Sequence, residues 1–207
     1  MITATVPTAR LSPRAVLAVL GGLALGCATN VLQGLLPDVL QAFSNSGSVW
    51  VVGAFIAGAV VGVPGWRACA AGTATQAGAV VGYYAYAEFV RDGMGDLTWP
   101  VFWLVLALVA GPIFGTAGAW WRTGEGRRRV AGPAVLGAVF GMDALHYLIV
   151  LHYDSDAMIY AVIGVLIPLL LGRSNRDRLM GLGSGVGLAV LALGIIHILT
   201  SLIDRFA

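Results

Sequence analysis

The sequence contains no lysine and little charge of either sign, since charged residues make up 11% of its 207 residues. Soluble domains carry about 25% charged residues, so a soluble catalytic domain, a nucleic-acid-binding module and a disordered tail are excluded. The two cysteines, Cys27 and Cys69, lie at different depths of the predicted helices, so neither a disulfide nor a cysteine metal site is expected. Apolar residues are abundant instead, at 58%. This composition predicts an integral membrane protein.

Seven apolar stretches approach the ~20 residues that cross about 30 Å of hydrocarbon. They are Ala15 to Leu36, Val49 to Val63, Ala68 to Val90, Trp99 to Trp121, Pro133 to Leu151, Ala157 to Leu171 and Leu179 to Ile203. The second and sixth stretches are short, so six helices is the alternative count. The predicted fold class is an all-α, polytopic transmembrane bundle of seven helices.

The distribution of arginine predicts the orientation, with the N-terminus in the cytoplasm. In that orientation ten arginines lie on the cytoplasmic side, and Arg91 and Arg205 lie outside. The cytoplasmic set is Arg10, Arg14, Arg67, Arg122, Arg127, Arg128, Arg129, Arg173, Arg176 and Arg178. A bias of this size is typical of the inner (plasma) membrane of a bacterium.

The connections are too short to fold separately, so one transmembrane domain is predicted over 15–203. A cytoplasmic segment, 1–14, precedes it and a short tail, 204–207, follows it. In the longest connection, apolar residues up to Phe43 recur at helical spacing behind Asp38. This pattern predicts a short helix on the membrane surface.

Small residues recur four positions apart in almost every predicted helix. The pairs are Gly22/Gly26, Gly58/Gly62, Gly78/Gly82, Gly111/Gly115, Gly137/Gly141, Gly181/Gly185 and Gly183/Gly187. Because lipid provides little hydrophobic drive between helices, such faces hold a bundle together by close backbone contact. A tightly packed bundle is therefore expected.

Asp143 is the ionisable residue whose position most needs an explanation. It lies ten residues beyond Pro133, about 15 Å into a core of about 30 Å. An ionisable group there costs at least ~2.5 kcal/mol on insertion scales, and such groups are usually functional or paired. His146 follows three residues later on the same helix face. The pair is the predicted centre of a ligand site.

Other polar residues fall in the outer half of the helices that run from the cytoplasm to the exterior, which are the first, third, fifth and seventh. We expect these helices to line one polar pocket, open to the exterior, with Asp143 at its floor. Its further predicted members are Asn30, Gln33, Tyr84, Glu88 and His197. Each also has a structural interpretation, as a helix-bridging, interfacial or solvated side chain. Gln76 is expected to donate a hydrogen bond between helices.

The pattern favours a non-enzymatic protein that binds or transports a small molecule or ion. It needs the lipid bilayer, no cofactor, no metal and no nucleic acid, and its small size predicts a homo-oligomer or a membrane partner subunit. One alternative is a structural or assembly subunit of a membrane complex. The other is a metal-binding protein or metalloenzyme that uses His146, His197 and a carboxylate or His152. A serine protease is excluded because Ser184 and His197 are about 20 Å apart on one helix.

Three segments, Asn30–Pro37, Ser46–Trp50 and Gly78–Tyr84, resemble parts of an uncharacterised family of small bacterial multi-pass membrane proteins. The resemblance covers most of the chain. It implies a helical membrane fold, and it implies no catalytic residue, because the family carries no assigned activity.

Overall fold

The computed structural model describes residues 13–37, 40–44, 46–91 and 93–206, with side chains up to residue 198. Asp38, Asp92, most of the predicted N-terminal segment and the side chains of the predicted tail lie outside the described residues. The described chain is helical and contains no strand. Its α-helices are α1 (Pro13–Leu32), α2 (Gln41–Ser44), α3 (Gly47–Val61), α4 (Trp66–Val90), α5 (Thr98–Thr123), α6 (Gly126–His146), α7 (Asp154–Leu171) and α8 (Asn175–Phe206).

Each apolar stretch identified in the sequence forms one of the long helices. Among the described residues, five helices are long and apolar enough to cross a membrane: α1, α5, α6 with its continuation to Leu151, α7 and α8. The apolar helix α3 has 15 residues, which span about 22 Å. Helix α4 is long enough, with 25 residues, but carries more polar side chains. The protein is therefore an all-α membrane protein.

The helices pack as two groups joined through α5. In the first group α1 packs on α4, α4 packs on α5, and α3 lies across α4 and α5. In the second group α6 packs on both α7 and α8. Contacts from α6 to α5 and α3 join the groups. The α1–α4 pair and the α6–α8 pair therefore lie on different sides of α3 and α5.

Glycines produce the close helix contacts, as the sequence predicts. A β-carbon added at Gly26 of α1 would collide with the carbonyl oxygen of Ala79 in α4. One added at Gly58 of α3 would collide with the carbonyl oxygen of Gly115 in α5. Gly183 of α8 differs, because no heavy atom of another described element lies within 4 Å of its added β-carbon. Small residues thus set the distances between helices inside the first group, but not every small residue lies at a helix contact.

The short helix predicted in the longest connection is present as α2, and it packs against the bundle. Helix α2 lies in the bundle, where the Phe43 ring stacks on Tyr160 of α7 with centroids 4.8 Å apart. Tyr160 is six residues into α7, about 9 Å along its axis. Ser44 is completely buried. Packing of the Phe43 ring against the protein core holds α2 on the bundle, and α3 begins at the buried residues Ser46 and Ser48.

Candidate functional site

Asp143 and His146 border the larger of two cavities that contain predicted site residues. This inner cavity has a volume of about 780 Å³ and lies between α3, α4, α5, α6 and α8. Its wall is mostly apolar and includes the aromatic rings of Trp50 and Trp103. The polar side chains in the wall are Ser48, Gln76, Asp143 and His146.

The beginning of α3 supplies the hydrogen-bond partner of Asp143. The Ser48 hydroxyl donates to Oδ2 of Asp143 at 2.5 Å, and Ser46 Oγ lies 2.6 Å from Ser48 Oγ. Because Ser48 gives its single proton to the carboxylate, Ser46 is the donor in the second bond. Ser46 is the N-cap residue of α3, yet its side chain does not cap the helix. The two hydroxyls thus form a chain that ends on the carboxylate.

Among the described residues, Asp143 has no arginine partner. Within the described ranges, the salt bridge found joins Arg129 to Asp177 at 3.0 Å, near the other end of α6. The basic side chain that lines the same cavity as Asp143 is His146, three residues further along α6. An acidic group at this depth is usually paired or functional. The Asp143 carboxylate therefore lies beside the inner cavity, where it can bind a cation.

Gln76 presents a second acceptor to the inner cavity. The residue is 4% exposed, and its Oε1 atom has no hydrogen-bond partner within the described part of the chain. A buried acceptor left unpaired costs about 1–3 kcal/mol. The role of Gln76 as a hydrogen-bond donor between helices stays a prediction, and its carbonyl oxygen is an unpaired acceptor within the described residues. A donor on a bound molecule would satisfy it.

Two tyrosines adjoin Asp143 on the side of α7. Tyr160 is completely buried, and its ring centroid lies 5.2 Å from that of Tyr147, which is four residues beyond Asp143 in the sequence. Its hydroxyl is another buried group without a hydrogen-bond partner among the described residues. At Tyr147 helix α6 continues as a π-helical turn, Tyr147–Leu151. Such turns occur frequently at functional sites.

The inner cavity opens sideways between α5 and α8. Its wall on α5 includes Phe102, Val109 and Ile113, which are about half exposed, and its wall on α8 includes Leu193 and Ile196. Helix α5 packs on α3, α4 and α6, whereas α8 packs on α6 and α7. The gap between α5 and α8 therefore faces the lipid that surrounds the bundle.

Asn30, Gln33 and Tyr84 lie together in a different place, the outer cavity, of about 460 Å³. The Asn30 side-chain amide donates to the carbonyl oxygen of Tyr83 at 3.0 Å, and the Tyr83 hydroxyl donates to Gln33 Oε1 at 2.7 Å. Arg91 from the end of α4 also lines this cavity. The expected single pocket is thus corrected to two, because equal depth on alternate helices does not place residues on the same side of α3 and α5.

Glu88 and His197 line neither of these cavities. Glu88 is exposed, and its carboxylate accepts a hydrogen bond from the backbone amide of Met94 at 3.0 Å in the loop between α4 and α5. His197 is exposed on α8. Within the described residues, no group of three or more histidine, cysteine, aspartate or glutamate side chains is placed to hold a metal ion.

Sequence reasoning missed Ser46, Ser48 and Arg91 as site residues. The signal for the serines was a run of alternating serines, Ser44, Ser46 and Ser48, immediately before an apolar stretch too short to span. Discontinuous helices that begin inside a bundle have this character, and they mark binding sites in membrane proteins. The positive-inside rule places Arg91 on the outer side, but this rule counts the arginines in each loop and does not show whether a side chain lines a cavity.

Residues 5–202 match the model of a protein family that is described as a family of unknown function, DUF6518. The match covers every described helix, the last of them up to residue 202. No curated protein and no solved structure matches the chain.

Proposed function

The chain belongs to DUF6518, a family of unknown function, and we propose that this member is a multi-pass inner-membrane protein that binds a small organic cation at Asp143. The observation that carries the proposal is a partly buried carboxylate that borders a large cavity and whose partner among the described residues is a serine rather than an arginine. A bound ammonium group would neutralise the carboxylate and donate hydrogen bonds to it.

The unpaired Oε1 atom of Gln76 supports a ligand that donates hydrogen bonds. Gln76 and Asp143 both belong to the wall of the inner cavity, so each brings an acceptor group to its polar part. The remaining wall is apolar and aromatic, so the rest of the ligand is expected to be apolar. Benzylammonium combines the two properties, and aromatic rings such as Trp50 also favour a nearby cation.

The topology that we propose has seven membrane spans, with the N-terminus in the cytoplasm and the C-terminus outside. It is supported by arginines at the start of α4 and α6, at the end of α5, and around the connection between α7 and α8. A C-terminal reporter that is active only in the cytoplasm should then give no signal. A full signal would contradict the orientation. For movement of the ligand across the membrane we propose a homo-oligomer or a partner subunit.

The binding proposal is tested by calorimetry on the protein in lipid nanodiscs with three matched ligands. Benzylammonium, benzyl alcohol and benzoate share the ring but carry a cationic, a neutral and an anionic head group. Benzylammonium should bind, and the other two should bind at least about tenfold more weakly, because a charge-assisted hydrogen bond contributes about 1.5–3 kcal/mol.

Two variants complete the test. Asp143→Asn should abolish the preference for the cation, whereas Asp154→Asn, which changes an exposed carboxylate at the start of α7, should retain it. Equal binding of all three ligands to the wild type would contradict the proposal. So would cation binding by Asp143→Asn at wild-type affinity. Loss of folded Asp143→Asn with no ligand binding to the wild type would favour a structural subunit.

A further inference from the structure

We propose that the outer cavity is a second binding site, specific for zwitterionic solutes that carry a carboxylate and an ammonium group, such as α-amino acids. It goes beyond the cation site at Asp143, because it uses different residues at the outer ends of α1, α4 and α5. Its volume of about 460 Å³ is within the usual range of small-molecule sites.

Arg91 provides the anion-binding group. Its side chain is exposed, and it forms no salt bridge with any described residue. The guanidinium lies over Gly34, where an added β-carbon would come within 2.7 Å of Nη2. The absence of a side chain at Gly34 thus allows Arg91 to reach across the mouth of the cavity from α4 towards α1. A guanidinium in this place can hold a carboxylate through two parallel hydrogen bonds.

Asn30 provides the acceptor at the buried end of the outer cavity. It is 2% exposed, and its Oδ1 atom has no hydrogen-bond partner in the described part of the chain. The hydrogen bond from its amide nitrogen to the carbonyl oxygen of Tyr83 distinguishes the nitrogen of the Asn30 amide from its Oδ1 atom. Because a buried acceptor without a donor is unfavourable, this oxygen calls for a donor such as an ammonium group.

Aromatic rings complete the site on the side away from α1. Tyr84, Trp99 and Trp103 all line the outer cavity. Their faces attract a cation and also bury the apolar part of a ligand. Trp103 also lines the inner cavity, so its ring lies between the two sites. The outer cavity thereby offers a guanidinium at its mouth, an orphan acceptor at depth, and aromatic walls between them.

The experiment uses leucine, leucinamide and N-acetylleucine, measured by calorimetry with the protein in nanodiscs. Leucine carries both charges, leucinamide lacks the carboxylate, and N-acetylleucine lacks the ammonium group. Leucine should bind at least about tenfold more tightly than either analogue, as expected for the loss of a charge-assisted hydrogen bond. Equal binding of all three, or no binding of leucine, would overturn the proposal.

The variants assign the binding to the outer cavity. Arg91→Gln should lose at least about tenfold in leucine affinity, because it removes the charge that pairs with the carboxylate of leucine. Arg67→Gln, which changes an exposed arginine at the other end of α4, should bind leucine like the wild type. Wild-type affinity in Arg91→Gln would overturn the proposal. So would loss of leucine binding in Asp143→Asn with retention in Arg91→Gln, because it would place leucine in the inner cavity.

Discussion

Replacement of Gln76 by methionine should stabilise the protein while weakening its affinity for a cation in the inner cavity. The Oε1 atom of Gln76 is buried and unpaired among the described residues, and such an acceptor costs about 1–3 kcal/mol. Methionine has a similar length and shape and no such acceptor, so the free energy of unfolding should rise by about 1 kcal/mol or more. For a chain of this size, about 1 kcal/mol raises Tm by about 2–4 °C.

Thermal unfolding in nanodiscs, followed by tryptophan fluorescence, measures this change, since Trp50 and Trp103 line the same cavity. Gln33→Met is the matched control. Gln33 Oε1 accepts a hydrogen bond from the Tyr83 hydroxyl at 2.7 Å, so this variant should lose about 1 kcal/mol. A fall in Tm for Gln76→Met as large as that for Gln33→Met would refute the reasoning, because it would make the Gln76 amide a structural group.

Three further predictions concern the site, the helix packing and an exposed turn. Ser48→Ala should lower the free energy of unfolding by about 1–3 kcal/mol, but by less in a protein that already carries Asp143→Asn. Equal losses in denaturation experiments on both backgrounds would contradict the hydrogen bond between Ser48 and Asp143. Gly26→Leu should abolish the folded yield in gel filtration by separating α1 from α4, whereas Gly183→Leu should preserve it; equal yields would contradict the packing. Hydrogen bonds from the side chain and amide of the first α5 residue hold the pKa of Asp96 below its usual value. The backbone amides of that turn should therefore be protected from hydrogen exchange at neutral pH, and their protection should fall as the pH drops through this lowered pKa. Asp96→Asn should remove this pH dependence.

The helices could be predicted from the sequence because lipid imposes a length and an apolar composition on each one. The errors fall at the ends of the helices, where a helix extends beyond its apolar stretch or stops before the stretch ends. Helix α6 begins at Gly126 rather than at Pro133, because the arginines that follow Gly126 continue the helix. Helix α1 ends at Leu32, four residues early, where the chain turns before Pro37.

The contacts of the candidate site could not be predicted in the same way. The depth of Asp143 follows from counting along one helix, but its partner Ser48 is 95 positions away in the sequence. That contact depends on α2 entering the bundle and on α3 lying beside α6. Likewise, successive helices were expected to cross the membrane in alternate directions, so the helices that carry Asn30 and Asp143 were expected to run the same way. This alternation contains no information on which helices are neighbours.

The sideways opening between α5 and α8 makes the surrounding lipid part of the inner cavity. Acyl chains can fill the gap beside Ile113 and Ile196 when no ligand is bound, so a ligand that enters there has to displace lipid rather than water. The bilayer also concentrates any ligand that partitions into it. The affinity measured against the aqueous concentration should then rise with the apolar area of the ligand and change with the lipid-to-protein ratio, even though no residue of the site has changed.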